Sequence, residues 1–271
     1  MSGPLGSSQW MYATDAGFYG YSIDQSLRFN DNDSARLTFT PSSNGTSRKT
    51  YTISLWFKRG NLSTAYPTLI GANVSSGRDD AIRFGSGSGG DELYIFFDEA
   101  AKAIRTNRVF RDISSWYHLV LEVDTTQATD SDRVKLYING VQETSFASAT
   151  YPAQNYEGGF SRAGEHSIGR RPQGNYFDGY IAEVNFIDGT ALDADSFGET
   201  KNGVWVPKEY SGSYGNNGFY LSFADSSAIG DDLSGNTNDF TATNLAASDV
   251  VLDSPTNNFA TWNPLHTNGG T

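Results

Sequence analysis

Two neighbouring runs, WYHLVLEVD at residues 116–124 and RVKLYINGV at 133–141, alternate apolar and polar side chains with period two. Tyr117, Leu119, Leu121 and Val123 share one face, against His118, Val120 and Glu122; Val134, Leu136 and Ile138 alternate with Lys135, Tyr137 and Asn139. Only an extended strand with one buried face satisfies that spacing. Asn139-Gly140 is the preferred pair for a type I′ turn, because both central residues need positive φ. The pair predicts a tight hairpin returning through VQETSF, residues 141–146.

The same pattern recurs along the chain. In YTISLWFKR, residues 51–59, Ile53, Leu55 and Phe57 face one way and Thr52, Ser54, Trp56 and Lys58 the other. SLRF, ARLTF, TLIGA, AIRFG, ELYIFF, YIAEVNFI and GFYLSFAD read as further strands, separated by clusters of Gly, Asn, Asp and Ser that favour turns. GSGSGG, residues 85–90, reads as a flexible hairpin loop. Helix-period segments are nearly missing, apart from a short turn or helix at TALDADSF. Many short strands and 29 glycines in 271 residues predict an all-β chain, with 37% hydrophobic residues sufficient for a sizeable core. Residues 1–20 read as a docking arm, 21–198 as one β domain, and 199–271 as a Gly/Tyr/Asn-rich extension with one or more added strands.

Composition narrows the function. Nineteen Lys+Arg against 31 Asp+Glu give a formal net charge of −12, which disfavours nucleic acid and anionic membrane surfaces. There is no Cys, hence no disulfide framework, thiol nucleophile or thiolate metal site. No apolar run of 18 residues exists, so no transmembrane helix is expected, and the start MSGPLGSSQWMYA has neither the basic nor the apolar region of a signal peptide.

Chemistry-bearing patterns are sparse. The stretch YFDGYIAEVNFIDGTAL carries Asp178, Glu183 and Asp188. Glycoside hydrolysis needs two carboxyl groups about 5–9.5 Å apart. On a regular strand Asp178 and Glu183 lie about 17 Å apart on opposite faces, and Asp178 and Asp188 about 34 Å apart on one face. The segment therefore supplies no catalytic pair of its own. Asp178-Gly179 and Asp188-Gly189 read as turns bracketing one strand, with Glu183 bonded to backbone or to a cation. No G-x-S-x-G elbow occurs, and His118, His166 and His266 lack zinc-ligand spacing. His118 is expected on the outward face of its strand. Oxygen-rich turns offer weak calcium candidates, Asp31 and Asp33 in DNDS and Asp231, Asp232 and Asn236 in DDLSGNTND. Neither fits an EF-hand, and side-chain capping of turns explains both more simply. No other cofactor is indicated. For sugar contact the loop residues Tyr66, Arg78, Asp79, Tyr151, Tyr156, Phe160, Arg170 and Arg171 offer rings and hydrogen-bonding groups, whereas Trp56 and Trp116 read as packing residues.

Several of these residues together resemble a known pattern. Trp116 and His118 on a strand, the Leu136-Tyr137-x-Asn139-Gly140 hairpin, Ile168-Gly169, and Gly179, Ile181, Glu183 and Val184 followed by Ala191-Leu192 resemble the laminin-G-like jelly rolls of the concanavalin A-like lectin/glucanase superfamily. The likeness covers roughly residues 25–198 and implies a two-sheet antiparallel jelly-roll sandwich; it leaves the ligand open. Laminin-G-like domains sometimes bind calcium. Over the whole chain SLRFNDNDSARL, VFRDISSWYH, YFDGYIAEVNFIDGTAL, GVWVPKEY and DSPTNNF resemble a group of bacteriophage virion proteins, chiefly tail-fibre proteins with a lectin-like domain near the N-terminus. That resemblance implies a non-enzymatic virion component with other virion proteins as partners, a homotrimer, exposure on the particle, and contact with a host glycan. It implies no nucleic acid partner and no membrane insertion. A capsid decoration or head-fibre protein without a sugar site, and a polysaccharide depolymerase, are the alternatives. GPLGS has the form of a cleaved-tag remnant, yet SGPLGSSQWMY is a native beginning in the phage group, whose members continue past the point matching Pro264.

Overall fold

The computed structural model describes residues 18–75, 77–85, 90–98 and 102–258. Much of the docking arm, the middle of GSGSGG, His266 and the chain end therefore lie outside the described residues. The first strands are β1 (Ser26–Phe29), β2 (Arg36–Phe39), β3 (Thr50–Arg59), β4 (Thr68–Ser75), β5 (Arg78–Phe84), β6 (Glu92–Phe97), β7 (Lys102–Val109), β8 (Tyr117–Asp124) and β9 (Val134–Ile138). They are followed by β10 (Val141–Gln142), β11 (Phe146–Ala149), β12 (His166–Ile168), β13 (Gly179–Asp188), β14 (Gly198–Lys201), β15 (Val204–Pro207), β16 (Phe219–Leu221), β17 (Thr241–Thr243) and β18 (Val250–Val251). The described helices are 3-10 turns, one of them Ala194–Ser196 within TALDADSF.

Two antiparallel sheets form the body. The first runs β10-β9-β8-β3-β13-β1-β18, with β16 also on β13; the second runs β11-β7-β6-β5-β4-β12-β2-β17. β14 and β15 make a separate hairpin. The fold is thus the expected two-sheet antiparallel sandwich. Its core follows the alternation: Ile53, Leu55 and Phe57 of β3, Leu119, Leu121 and Val123 of β8, and Val134, Leu136 and Ile138 of β9 meet Ile82, Phe84, Leu93, Ile95, Phe97 and Ile104 of the second sheet. Each such side chain contributes on the order of 1.5–3 kcal/mol by leaving water. The Asn139-Gly140 turn forms with φ of 49° and 78°. A Cβ at Gly140 would also collide with the Trp205 ring at 2.3 Å, so this position is closed to other residues twice over.

One element departs from simple alternation. β13 pairs with β3 through Ala182↔Trp56 and then Asn185↔Ser54, so β13 carries one extra residue there. Glu183 sits in this bulge with φ 54°. The bulge inverts parity: Ile181 and Val184 both face the main core, while Ala182 and Ile187 both lie in the outer clusters. The regular-strand assignment of faces to Asp178, Glu183 and Asp188 is therefore corrected. On its other edge β13 pairs with β1 over residues 179–181 and with β16 over 184–186, so the bulge marks the handover between two neighbours. The expected strand GFYLSFAD is shorter, Phe219–Leu221, because Phe223 takes φ 59° and ends it.

Candidate functional site

The outer face of the first sheet is roofed by the chain itself. Trp56 stacks on His118 at 4.6 Å and His118 stacks on Trp205 of β15 at 6.0 Å. Trp205 Nε1 donates to His118 Nδ1 at 2.9 Å. Because indole only donates, Nδ1 is the acceptor, and Nε2 carries the proton toward Ser54 Oγ at 2.9 Å. Burial holds His118 down to about 3, neutral as this geometry requires. His118 does stand on the outward face, as expected, but it is buried there (1% exposed). Beside this stack Glu183 Oε1 accepts from Tyr21 at 2.6 Å and from Tyr220 of β16 at 2.8 Å. Its partners are phenols rather than backbone or a cation. Burial raises its carboxyl to about 7, against the pull of those two hydrogen bonds. At one end of the roof Trp56, Trp116, Trp205, Val141, Val204 and Pro255 line a cleft of about 580 Å³.

The outer face of the second sheet is built differently. Cross-strand register sets Arg83 of β5 beside Tyr94 of β6, and Tyr94 beside Arg105 of β7. The Arg83 guanidinium lies 4.6 Å from the Tyr66 ring centroid, 5.0 Å from Tyr94 and 5.1 Å from Phe96. Arg171, on the loop after β12, covers Phe96 at 5.6 Å and pairs with Asp79 at 2.9 Å. Rings and guanidinium planes thus alternate across an outer sheet face: Phe96 is covered, while the half-buried Tyr66, Arg83, Tyr94 and Arg171 present ring and hydrogen-bonding surface together.

A family model for the concanavalin A-like lectin/glucanases superfamily matches residues 29–196, more than half of the chain. The chain belongs to this superfamily. No curated protein matches it by sequence. Among solved structures, a Bacteroides ovatus ATCC 8483 protein provisionally described as carbohydrate-binding is similar with a TM-score of 0.55 and 16% identity, over 83% of this chain and 61% of that one. A heptameric SAP-like pentraxin from Limulus polyphemus matches with a TM-score of 0.44 and 16% identity, over 64% of this chain and 79% of that one. Mouse laminin alpha1 domains LG4-5 match with a TM-score of 0.43 and 14% identity, over 71% and 46%. The chain spans less than two-thirds of the Bacteroides and laminin chains.

Within this superfamily domain the sequence-chosen contact residues separate. Tyr66 and Arg171 reach the second sheet's outer face, where they contact Arg83 and Phe96. Asp79 is corrected: it lies in β5, is 0% exposed, and pairs with Arg171. Arg78 is exposed and pairs with Asp98. Phe160 is corrected: it is 2% exposed, packed against Tyr51 at 5.5 Å and Phe186 at 5.9 Å in the sandwich core. Tyr156 donates to the buried Asp80 at 2.9 Å, and Tyr151 packs against the core; each has a structural partner. Arg170 pairs with Glu165 at 2.7 Å. Sequence reasoning missed Arg83, Tyr94 and Phe96. Their signal was present in the alternation of AIRF and ELYIFF, where they take the outward parity.

Most of the acids in the oxygen-rich turns have internal partners, while Asp31 Oδ1 is buried with no hydrogen-bond partner. Asp232 Oδ1 accepts from Tyr220 N at 2.8 Å and Ser234 N at 2.9 Å, while Oδ2 accepts from Asn238 N at 2.9 Å. Asn236 Nδ2 donates to Gly215 O at 2.6 Å, and Asp231 N donates to Ala228 O at 3.1 Å. Asp33 accepts from Asn30 at 2.6 Å, and Asp31 from Thr64 at 2.8 Å. Among the described residues no group of three or more His, Asp or Glu side chains converges as a metal site would. The two Asp-Gly pairs do bracket β13. Asp188 does more than turn the chain: it is 2% exposed and accepts from Thr46 N, Ser47 N, Ser161 Oγ and Asn217 N. Burial first, then the neighbouring Asp31 charge, raises the Asp178 carboxyl above its usual range.

Proposed function

We propose that this protein is a non-enzymatic bacteriophage virion component, a tail-fibre subunit exposed on the particle, whose lectin-like domain holds a glycan of the host surface. The observation that carries the glycan reading is the second sheet's outer face, where the half-buried Tyr66, Arg83, Tyr94 and Arg171 interleave rings with guanidinium groups over the buried Phe96. Pyranose rings present flat C–H faces that pack on aromatic rings and hydroxyls that accept from guanidinium, so this face has the chemistry such a ligand needs. The carbohydrate description of the Bacteroides protein agrees with it. The virion reading rests on the whole-chain resemblance, from SLRFNDNDSARL to DSPTNNF, to phage tail-fibre proteins. Fibres of that kind assemble as homotrimers on other virion proteins, and we assign the same assembly here.

A glycan array probed with the purified protein, followed by titration of the hits, tests the adhesin. Saturable binding that Tyr94→Ala weakens by at least about tenfold supports it. Silence across the array, with the chain located on the capsid in images of intact particles, replaces it with a decoration protein. Release of reducing sugar from host polysaccharide replaces it with a depolymerase.

A further inference from the structure

Arg83 differs from its neighbours in what surrounds it. Arg59, Arg78, Arg170 and Arg171 each pair with a carboxylate. Arg83 faces three rings instead, and no described residue hydrogen-bonds to it or ion-pairs with it; its Nε is buried and unsatisfied. The carboxylate that acts on it, Asp79, does so through space and is paired with Arg171. A half-buried cation with no hydrogen-bonded counter-charge is costly, and a guanidinium held flat among rings is already oriented for a two-pronged contact with a carboxylate. The rings fix the plane, so little further ordering is needed on binding. Arg171 adds a second positive group over the same Phe96 ring, partly offset by Asp79 at 2.9 Å. Burial first, and the Arg171 charge second, pull Arg83 below the ordinary arginine range, and a bound anion would relieve both.

We infer that this face takes an acidic sugar, a pyranose bearing a carboxylate, with the carboxylate on Arg83 and the sugar ring against Tyr66 or Tyr94. The inference rests on the glycan-binding reading and narrows its ligand class. The overall charge of −12 does not oppose it at contact range, because charges more than about 8 Å apart are largely screened at physiological salt.

The test uses two matched pairs of probes on the full chain: trigalacturonate against its carboxyl-reduced form, and sialyllactose against lactose. In calorimetric titration the acidic member of at least one pair binds at least about tenfold tighter than its neutral counterpart, and the margin shrinks as salt rises. Arg83→Gln abolishes the margin and leaves the thermal melt near wild type. If Arg83→Gln fails to fold, Arg83→Lys serves, and it narrows the margin at least about threefold because an ammonium lacks the flat two-pronged fork. Equal binding of acidic and neutral members, or a margin that survives substitution of Arg83, overturns the acidic-sugar inference and leaves the glycan reading standing. Failure of these probes together with silence on the glycan array overturns both.

Discussion

The two outer faces of the sandwich carry the same kinds of residue and put them to opposite uses. On the first sheet Trp56, His118 and Trp205 form a stack closed over by the β14–β15 hairpin, with the His118 ring nitrogens hydrogen-bonded to Ser54 and Trp205. On the second sheet Tyr66, Tyr94 and Phe96 surround an arginine that no described residue satisfies. Outward parity places both sets away from the main core. What separates the two faces is the cover: one receives β15 and β16 and becomes a second core, and the other keeps a half-buried cation among its rings, the contrast on which the proposed glycan site rests.

Breaking the roof has the largest expected effect on stability. Trp205→Ala removes the outermost ring of the stack, the donor to His118 and the cover over Gly140. It should cost about 3–5 kcal/mol in urea unfolding, as large aromatic truncations in packed sites do. A loss below about 1 kcal/mol would show that the roof is a loose surface flap.

The pH response sharpens the same contrast, because the roof buries groups that titrate in opposite senses. Glu183 is raised from 4.5 to about 7 by burial, so its contribution is fully present below pH 4.5 and lost as pH rises through about 7. His118 is lowered from 6.5 to about 3, so its contribution is full above pH 6.5 and lost as pH falls toward 3. The two largely cancel between these limits. Glu183→Gln stays neutral throughout, so across that window it should gain on wild type by about 1.4 kcal/mol per pH unit. Urea midpoints at four pH values check this, and a constant offset between the two proteins would refute the buried-carboxyl account.

On the second sheet's outer face the effect on stability should be smallest. Tyr94→Ala is expected to change unfolding free energy by less than about 1 kcal/mol while weakening glycan binding. A large stability loss would mean that this face is also structural.

Most of the sandwich was legible because burial of one face imposes alternation, and β3, β8 and β9 obey it residue by residue. The Asn139-Gly140 turn was legible because few pairs tolerate its φ values. The bulge at Glu183 was not, since a residue inserted against β3 leaves no mark in an apolar pattern that reads smoothly through YIAEVNFI. Nor was the roof: Thr52, Ser54 and Lys58 look like a solvated face around the packing residue Trp56, and all four are buried. Their cover comes from more than 100 residues downstream, such as the Thr190 carbonyl on Thr52 and Asp253 against Lys58. Phe160 was misread for the same reason, because distant strands close over its loop. Of the ring-and-guanidinium face, Tyr66 and Arg171 were visible as loop chemistry, whereas Asp79 was misread, since it lies buried in β5. Arg83 and Tyr94 were hidden in strands that declare themselves by their inward residues.

The pairing of β1 with β18 has a mechanical consequence. Ser26 lies opposite Val251, and Ile23 is clasped from Thr256 through a 3.0 Å and a 2.7 Å hydrogen bond. The first and last described segments therefore run side by side at one sheet edge. A pull applied between residues 18 and 258 would load this short zipper first and peel β18 away bond by bond. The force would be dissipated at the edge before it reached the rest of the sandwich and its ring-and-arginine face.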